Sequence, residues 1–258
     1  MTLITKDFST GYQNKEVIKS INLTLKNVEW LGIIGANGSG KSTFLKGISR
    51  ILEPSSGAAF LNGQNIHLSS TKGIAKDISV LPQLQTLDLQ ISVYELVCLG
   101  RSPHKRWWET GLNKKDLLKV DESLALTDMN TLRNKPVRTL SGGQRQRAFL
   151  SLALAQDAKT LLLDEPTTFL DVHYQLQFLD LLKDLNKDQK LSIITVIHDV
   201  NLAARYCDRI AVLKDGILIA LDSPGNVLTP ALMKEAFKVE TCQIKTPIGV
   251  QVCTIKPC

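Results

Sequence analysis

The feature that most constrains the fold is the stretch Gly35–Ser42, with the sequence GANGSGKS, which follows the apolar run Leu31–Ile34 and precedes a helical pattern. Glycines let the backbone curl tightly enough for several N–H groups to face one anion, and a helix that begins near Lys41 adds its partial positive charge. The pattern G-x-x-x-x-G-K-S/T between a strand and a helix therefore predicts a phosphate-binding loop rather than a chance glycine-rich turn. By itself, the loop indicates a purine nucleoside triphosphate and leaves kinase, GTPase and ATPase open.

The pattern also assigns roles within the loop. Lys41 is expected to reach the β- and γ-phosphates of the nucleotide, and Ser42 is expected to ligate Mg²⁺. The residues of this loop predicted to bind the nucleotide are Gly35, Ala36, Asn37, Gly38, Ser39, Gly40, Lys41, Ser42 and Thr43.

Hydrophobic patterning predicts an α/β fold. Short apolar runs such as Thr160–Leu163 and Ser192–Ile197 are separated by helical patterns, which is typical of a mostly parallel sheet. A helical stretch interrupts this pattern, and within it Ser92 and Glu95 have the spacing of a capping box. We expect a core of residues 1–86 and 159–235, a helical insertion at 87–158, and a tail at 236–258 that forms a small strand pair or a loose end.

Composition sets outer limits on function. The net charge of +6 is scattered along the chain, so it permits phosphate binding without arguing for it. The five cysteines show no C-x-x-C spacing, which predicts neither a disulfide framework nor a zinc site. The first residues lack the apolar core of a signal peptide, and no stretch approaches the roughly 20 apolar residues that span a bilayer. A role at a membrane would therefore require a partner that crosses it.

Two acidic residues, Asp164 and Glu165, follow one of the apolar runs. Asp164 is placed to hold Mg²⁺ through water, and Glu165 to orient and polarise an attacking water. The alternative is a surface acid pair that caps the following turn, helped by Pro166. Because the pair lies at a strand end downstream of a complete phosphate loop, the sequence favours nucleotide hydrolysis.

The stretch Leu140–Gln144, with the sequence LSGGQ, distinguishes among the nucleotide-binding classes. Its serine predicts an N-cap, its glycines permit close approach, and the helix behind them offers a positive N-terminus, which together make a second anion site. The stretch matches the signature of the ABC transporter ATPase family, which the chain resembles over about residues 2–230. The resemblance implies that Leu140, Ser141, Gly142, Gly143 and Gln144 face the γ-phosphate held by a second copy, so that ATP is sandwiched in a head-to-tail dimer. A P-loop kinase would have no reason to carry this stretch.

Four further residues match motifs of the same family. Gln83 corresponds to the glutamine that contacts Mg²⁺ or the attacking water, and His198 to the histidine that contacts the γ-phosphate and positions Glu165. Asp171 corresponds to the aspartate at the dimer interface. Tyr12 corresponds to the aromatic residue that stacks on adenine, with a structural role in a half-buried strand as its alternative. The resemblance thus implies Glu165, His198 and Gln83 as catalytic residues and Ser42, Gln83 and Asp164 as Mg²⁺ ligands.

The resemblance implies a P-loop NTPase (RecA-like) core with a mostly parallel sheet, an N-terminal antiparallel β-subdomain and an inserted helical subdomain. The sequence departs from the family at two places. Residues 168–171 read TFLD where many relatives have SALD. The turn 26–29 lacks the usual glycine before Glu29, which leaves the geometry of that turn open.

Within the family, two stretches look like the branch that imports iron(III)-siderophores, haem and cobalamin, with the ferric siderophore type closest. They are Leu99–His104, and Leu154–Asp157 followed by Asp164–Asp171. The implied partners are a second copy of the chain, transmembrane permease subunits and, indirectly, a substrate-binding protein, with no nucleic acid. The implied location is peripheral, at the cytoplasmic face of the inner membrane. Haem or cobalamin import stays open, as does a soluble ABC ATPase outside transport, which commonly carries tandem units or long insertions.

Overall fold

The computed structural model describes residues 2–13, 15–81, 90–106, 108–109, 111–168 and 170–258. The chain divides into two compact units, a terminal unit of residues 1–69 and 190–258 and a central unit of residues 70–189. Along the chain the elements are β1 (Leu3–Tyr12), β2 (Lys15–Leu25), β3 (Trp30–Ile34), α1 (Lys41–Ile48), β4 (Pro54–Leu61), β5 (Gln64–Asn65), α2 (Thr71–Ile74), β6 (Ile78–Leu81), α3 (Val93–Leu99), α4 (Lys114–Leu126), α5 (Gly142–Ala155), β7 (Thr160–Asp164), α6 (Val172–Asp188), β8 (Ser192–Val196), α7 (Val200–Tyr206), β9 (Arg209–Lys214), β10 (Ile217–Asp222), α8 (Pro224–Val227), α9 (Pro230–Phe237), β11 (Val239–Thr246) and β12 (Gly249–Pro257).

The terminal unit contains both kinds of strand pairing that the sequence predicts. Strand β1 lies between β2 and β4, with β5 beyond β4, and all of these pairs are antiparallel. Strand β3 pairs in parallel with β8 on one side and β9 on the other, and β10 adds to β9 as an antiparallel strand. The α/β class and the antiparallel N-terminal strands are thereby confirmed.

Helix α1 lies against β1, which fixes where the loop before the helix ends. The rings of Phe8 on β1 and Phe44 on α1 meet edge to face, with their centroids 6.3 Å apart. Gly47 permits this approach, because a Cβ at that position would lie 2.8 Å from the ring of Phe8. The position of α1, and with it the N-terminus of the helix, is therefore fixed by the packing of Phe44 and Gly47 against Phe8 on β1.

The turn before β3, whose geometry the sequence left open, adopts the backbone conformation that glycine favours. Val28 has φ 56°, in the left-handed region that β-branched residues rarely enter. Its N–H donates to Ser192 Oγ at 3.0 Å. The next residue, Glu29, is buried, and its carboxylate accepts from Arg209 Nη2 at 3.0 Å and from Lys26 N at 2.6 Å. The bonds from Val28 to Ser192 and from Arg209 to Glu29 join residues that are far apart in sequence, and they hold a valine in a conformation that it disfavours.

The tail is an ordered strand pair rather than a loose end. Strands β11 and β12 form an antiparallel hairpin. Asn201 on α7 clamps the backbone of Val252 on β12, with Val252 N donating to Asn201 Oδ1 at 2.7 Å and Asn201 Nδ2 donating to Val252 O at 3.1 Å. The hairpin is therefore tied to the helix that follows β8.

The central unit packs three helices around an apolar core and carries the parallel pair β6 and β7. Ser92 and Glu95 form the predicted capping box at the start of α3, and Asn113 and Asp116 form a second one at the start of α4. The core of α3, α4 and α5 consists of Val93, Leu96, Val97, Val120, Leu124, Met129, Val137, Leu140, Ala148 and Ala155.

A buried ion pair links the three helices of that core. Arg101, just after α3, donates from Nε to Asp116 Oδ1 on α4 at 2.9 Å and from Nη1 to Ala155 O at the end of α5 at 2.6 Å. His104 Nε2 lies 2.8 Å from Gln156 O nearby. The stretch that the sequence associates with an importer branch thus has a structural role inside the central unit.

Among the residues that the structure describes, none of the helices combines the length and the apolar character that a membrane span needs.

Candidate functional site

The phosphate loop of the terminal unit begins where β3 ends and contains three glycines with positive φ, two of which pack against other strands. Gly35 has φ 155° and Gly40 has φ 100°. A Cβ at Gly35 would lie 2.2 Å from Leu213 O, and one at Gly40 would lie 2.6 Å from Ile18 Cδ1. Both positions therefore exclude a side chain, because the loop packs directly against backbone and side chains from other strands.

The loop is closed by backbone bonds on one side and exposed on the other. Ser39 N donates to Ala36 O at 3.1 Å, and Gly216 N donates to Ser39 O at 3.1 Å. Residues 36–38 are exposed, whereas Gly35 and Ser39 are buried. Gly216 and Leu213 were not singled out from the sequence, and no local signal marks them because they join the loop only through the fold.

Lys41 closes over the loop that precedes it. Its side chain is buried, and Nζ donates to Gly35 O at 2.9 Å and to Ala36 O at 3.1 Å. The ammonium group is thus held at the mouth of the loop, where it adds positive charge to the backbone donors. Ser42 and Thr43 follow in the first turn of α1, ahead of the first helical bond from Phe44 N to Gly40 O at 2.8 Å.

The side chain of Ser39 is a buried donor that is left over in this arrangement. Ser39 is 4% exposed, and within the described part of the chain its Oγ makes no hydrogen bond. A buried hydroxyl without a partner carries a desolvation penalty, so such groups call for an explanation by a missing ligand or water. A bound phosphate oxygen would relieve that penalty.

Tyr12 and His198 are the other predicted site residues of the terminal unit. Tyr12 ends β1, is 45% exposed, and its hydroxyl accepts from Lys46 Nζ at 3.3 Å. The exposed ring is available for stacking and is not part of the core, which argues against the structural alternative. His198 follows β8 and is exposed, directly before Asp199, whose carboxylate caps α7 through Asn201 N at 2.7 Å.

The central unit carries the two acidic residues at the end of β7. Asp164 is the last residue of the strand and is 7% exposed. Glu165 is half-buried and has φ 51°, a left-handed conformation in which non-glycine residues are strained. Thr168 N donates to Glu165 O at 3.3 Å, so a tight turn sets the direction in which the carboxylate leaves the strand.

The signature stretch begins helix α5. Ser141 is the N-cap, its Oγ accepts from Gln144 N at 3.3 Å, and Gln144 Oε1 accepts from Ser141 N at 3.2 Å. This capping box confirms the N-cap predicted for Ser141 and shows that Gln144 is its reciprocal partner. Ser141 and Gly142 are exposed.

Asp171 caps the next helix, α6, through a bond from Tyr174 N to its Oδ1 at 3.1 Å. The ring of Tyr174 lies beneath the signature, because a Cβ at Gly143 would be 3.5 Å from its Cδ1. Tyr174 was not singled out from the sequence. The central unit therefore brings Gly143 beside the helix that begins after Asp171, while Gln83 lies outside the described residues.

Comparison with known proteins places these features in context. Residues 18–168 match the family model described as ABC transporter. The chain is 40% identical over 245 residues to the achromobactin transport ATP-binding protein of Dickeya dadantii (strain 3937), covering 95% of this chain and 90% of that protein. It is 41% identical over 246 residues to the iron(3+)-hydroxamate import ATP-binding protein of Bacillus subtilis (strain 168), covering 95% and 91%. Among solved structures it is similar to cbiO1 of Clostridium perfringens, part of the ABC transporter complex cbiONQ, with a TM-score of 0.79, 29% identity and coverage of 90% and 92%.

Proposed function

The chain belongs to the ABC transporter family as one of its ATPase subunits, and on that premise we propose that it powers the import of iron(III)-siderophore complexes. The proposal that the cargo is an iron(III)-siderophore rests on similarity to two proteins named for siderophore transport. The chain is 40% and 41% identical to them, over at least 90% of both chains. Nothing in the phosphate chemistry of the site encodes iron, because the cargo and the nucleotide are recognised by different molecules in such an assembly.

The phosphate loop supports ATP as the substrate. Its positive-φ glycines, the ammonium of Lys41 and the buried Oγ of Ser39 all supply what a polyphosphate needs, namely clustered donors and positive charge. We assign the nine residues Gly35–Thr43 to the nucleotide, with Lys41 on its β- and γ-phosphates. The exposed ring of Tyr12 would stack on the adenine.

The oxygen donors of Ser42, Asp164 and Gln83 suit Mg²⁺, a hard cation that prefers oxygen ligands and retains several waters. When bound, the ion neutralises charge on the phosphates. The carboxylate of Asp164, buried at the end of β7, supplies an oxygen ligand of the kind that Mg²⁺ prefers.

Hydrolysis is assigned to Glu165, His198 and Gln83. The left-handed backbone and half-buried position of Glu165 support a held carboxylate that orients the attacking water and accepts its proton. His198 would contact the γ-phosphate and position Glu165, and Gln83 would contact Mg²⁺ or the water.

The working unit is proposed to be a head-to-tail dimer of two copies that share two ATP molecules. The exposed, capped N-terminus of α5 at Ser141 and Gly142 supports this, because it offers donors that its own helix does not use. Lys41 of one copy and Ser141 of the other would then hold the same γ-phosphate, with Leu140–Gln144 and Asp171 at the interface. ATP would favour the closed dimer and ADP would not, because only ATP bridges both copies.

The dimer would act on transmembrane permease subunits, and through them on a substrate-binding protein, from the cytoplasmic face of the inner membrane. Co-purification distinguishes this role from that of a soluble ABC ATPase outside transport. Recovery with a polytopic membrane protein supports import, whereas recovery with nucleic acid or ribosomes contradicts it.

The dimer and hydrolysis assignments are tested with Glu165→Gln, which removes the base and retains the size of the side chain. We expect this variant to bind ATP, to hydrolyse it at least about 100-fold more slowly, and to elute as a dimer from a sizing column run with ATP. The matched control is the double variant Lys41→Ala/Glu165→Gln, which should stay monomeric. A monomeric Glu165→Gln variant that still hydrolyses saturating ATP would refute the assignments.

The cargo is tested separately by uptake. A strain that lacks this chain should lose accumulation of radioiron-labelled siderophore and regain it with the wild-type gene but not with Glu165→Gln. Labelled haem and labelled cobalamin serve as the competing cargoes. Loss of uptake confined to either of them would overturn the siderophore proposal and leave the ATPase assignment intact.

A further inference from the structure

The β11–β12 hairpin carries two cysteines directly opposite each other. Cys242 on β11 and Cys253 on β12 are register partners, and both are exposed. Their neighbours Thr241 and Val252 are buried. Because side chains alternate along a strand, both thiols lie on the outward face of the hairpin.

The register that aligns the two thiols is fixed at both ends of the hairpin and at its centre. At the turn, Thr246 Oγ1 donates to Gly249 O at 2.7 Å, and at the open end Cys258 N donates to Lys238 O at 2.9 Å. Between them, Asn201 clamps both backbone groups of Val252. A slip of one residue by either strand would turn the thiol of that strand to the opposite face and break the bonds at the hairpin ends, so the facing arrangement is specified.

The spacing of opposite residues in such a pair suits a disulfide. Directly opposite residues of an antiparallel pair have Cα atoms about 4.5–5.5 Å apart, and disulfides join Cα atoms about 4.4–6.8 Å apart. Their Cβ atoms lie about 4.5–5.5 Å apart, slightly farther than the roughly 3.5–4.5 Å of a relaxed disulfide. A bond here would form with small shifts and would be more easily reduced than a structural one.

We propose that Cys242 and Cys253 are a reversible modification site that reacts with small-molecule disulfides, such as oxidised glutathione, to form a cross-strand disulfide. The thiolate of one cysteine attacks a sulfur of the small disulfide, which breaks its S–S bond, releases one small thiol and leaves a mixed disulfide on the chain. The second cysteine then attacks the protein-bound sulfur and displaces the second small thiol. The chain loses two electrons and two protons, and both pass to the two released thiols.

The remaining cysteines do not share this arrangement. Cys207 is buried and Cys98 is partly buried, and burial raises the pKa of each thiol, which lowers its thiolate fraction. Cys258 is exposed but lies at the far end of the hairpin, five positions beyond Cys253. The strand register therefore identifies Cys242 and Cys253 as the reactive pair, although the cysteine spacing in the sequence predicts no disulfide.

The test treats the full chain with oxidised glutathione and digests it with trypsin without reduction. Cleavage after Lys245 separates residues 239–245 from 246–258, because the Lys256–Pro257 bond resists trypsin. We expect the two peptides to be recovered as one disulfide-linked species that a reductant separates. In Cys258→Ser, which lacks the third exposed thiol, two free thiols should be lost per chain and both restored by a reductant. Cys258→Ser should retain the link, whereas Cys242→Ser and Cys253→Ser should each give only a glutathione adduct.

Several outcomes would overturn the proposal. These are unchanged thiol counts, a stable glutathione adduct on wild-type Cys242 or Cys253, a Cys242–Cys258 link, and covalent dimers in place of the internal bond. The substituted side chains are exposed, so each variant should fold, and far-UV circular dichroism checks this directly. The readout is chemical and does not depend on ATP hydrolysis or on the cargo.

Discussion

Arg101→Met is expected to destabilise the central unit by about 3–5 kcal/mol, the usual cost of removing one partner of a buried ion pair. Arg101 is 3% exposed and Asp116 is 4% exposed, so the carboxylate left behind is screened by little water. The substitution also strips the donor from Ala155 O, and an orphaned buried acceptor costs about 1–3 kcal/mol. Methionine retains much of the aliphatic stem, so lost packing is the smaller part of the effect.

The double variant Arg101→Met/Asp116→Leu separates charge from packing. It removes both charges. It leaves Ala155 O without its donor, and it removes the bond from Asn113 N to Asp116 at the start of α4, which contributes about 0.5–1.5 kcal/mol. We therefore expect the double variant to lose no more free energy of unfolding than the less stable of the two single variants, Arg101→Met and Asp116→Leu. Its loss should be smaller than the sum of the two single losses.

The assay is urea unfolding followed by far-UV circular dichroism at fixed nucleotide concentration and ionic strength, with the midpoint and slope compared between variants. The matched control is Arg147→Met, which breaks a pair with Asp128 at 3.3 Å in which the aspartate side chain is 81% exposed. That control should cost less than about 1 kcal/mol. The reasoning fails if Arg101→Met costs no more than Arg147→Met, or if the two single costs add in the double variant.

Three further predictions concern individual side chains. Val28→Gly should be more stable than Val28→Ala by about 1 kcal/mol in urea unfolding, because alanine has a Cβ that is strained at φ 56° and glycine has none. At most positions glycine is the less stable of the two, so equal stabilities would contradict the prediction. Ser39→Ala should leave the free energy of unfolding unchanged or higher and weaken ATP binding by about 1 kcal/mol in calorimetric titration. The reason is that its buried Oγ has no hydrogen-bond partner among the described residues and would gain one from ATP; an unchanged ATP affinity would count against the loop contact. Burial raises the pKa of Asp157, but Lys119, 2.9 Å away, outweighs this and holds the pKa below its ordinary value. Because the pKa of Asp157 is lower in the folded state than in the unfolded state, the ionised carboxylate stabilises the fold at pH values above its unfolded-state pKa. This stabilisation is lost as the pH falls through the folded-state pKa, so the difference in urea midpoint between wild type and Asp157→Asn should become smaller below about pH 4. A difference in midpoint that does not change with pH would refute the coupling.

The parts of the molecule that depend on neighbours in sequence were predictable. The phosphate loop, the capping box of Ser92 with Glu95 and the N-cap at Ser141 each rest on side chains within a few positions of the backbone that they satisfy. The α/β class was predictable for the same reason, since strand and helix periodicities are local patterns.

Turn geometry and register were not predictable in this way. Val28 takes a left-handed conformation against its own preference because Ser192, 164 positions away, accepts its N–H. Cys242 and Cys253 face each other because Asn201 and the ends of the hairpin fix the register, whereas the spacing of cysteines along the chain gave no hint of it.

The sequence by itself thus determined the phosphate-loop motif and the signature helix, because their donors are close along the chain. The tertiary structure alone decided how those donors are held. Leu213 O and Ile18 leave no room for a side chain at Gly35 and Gly40, and Gly216 N donates a hydrogen bond to Ser39 O in the loop. These contacts join residues that are far apart in sequence, so only the packing of β2, β3, β9 and the turn after β9 brings them to the loop.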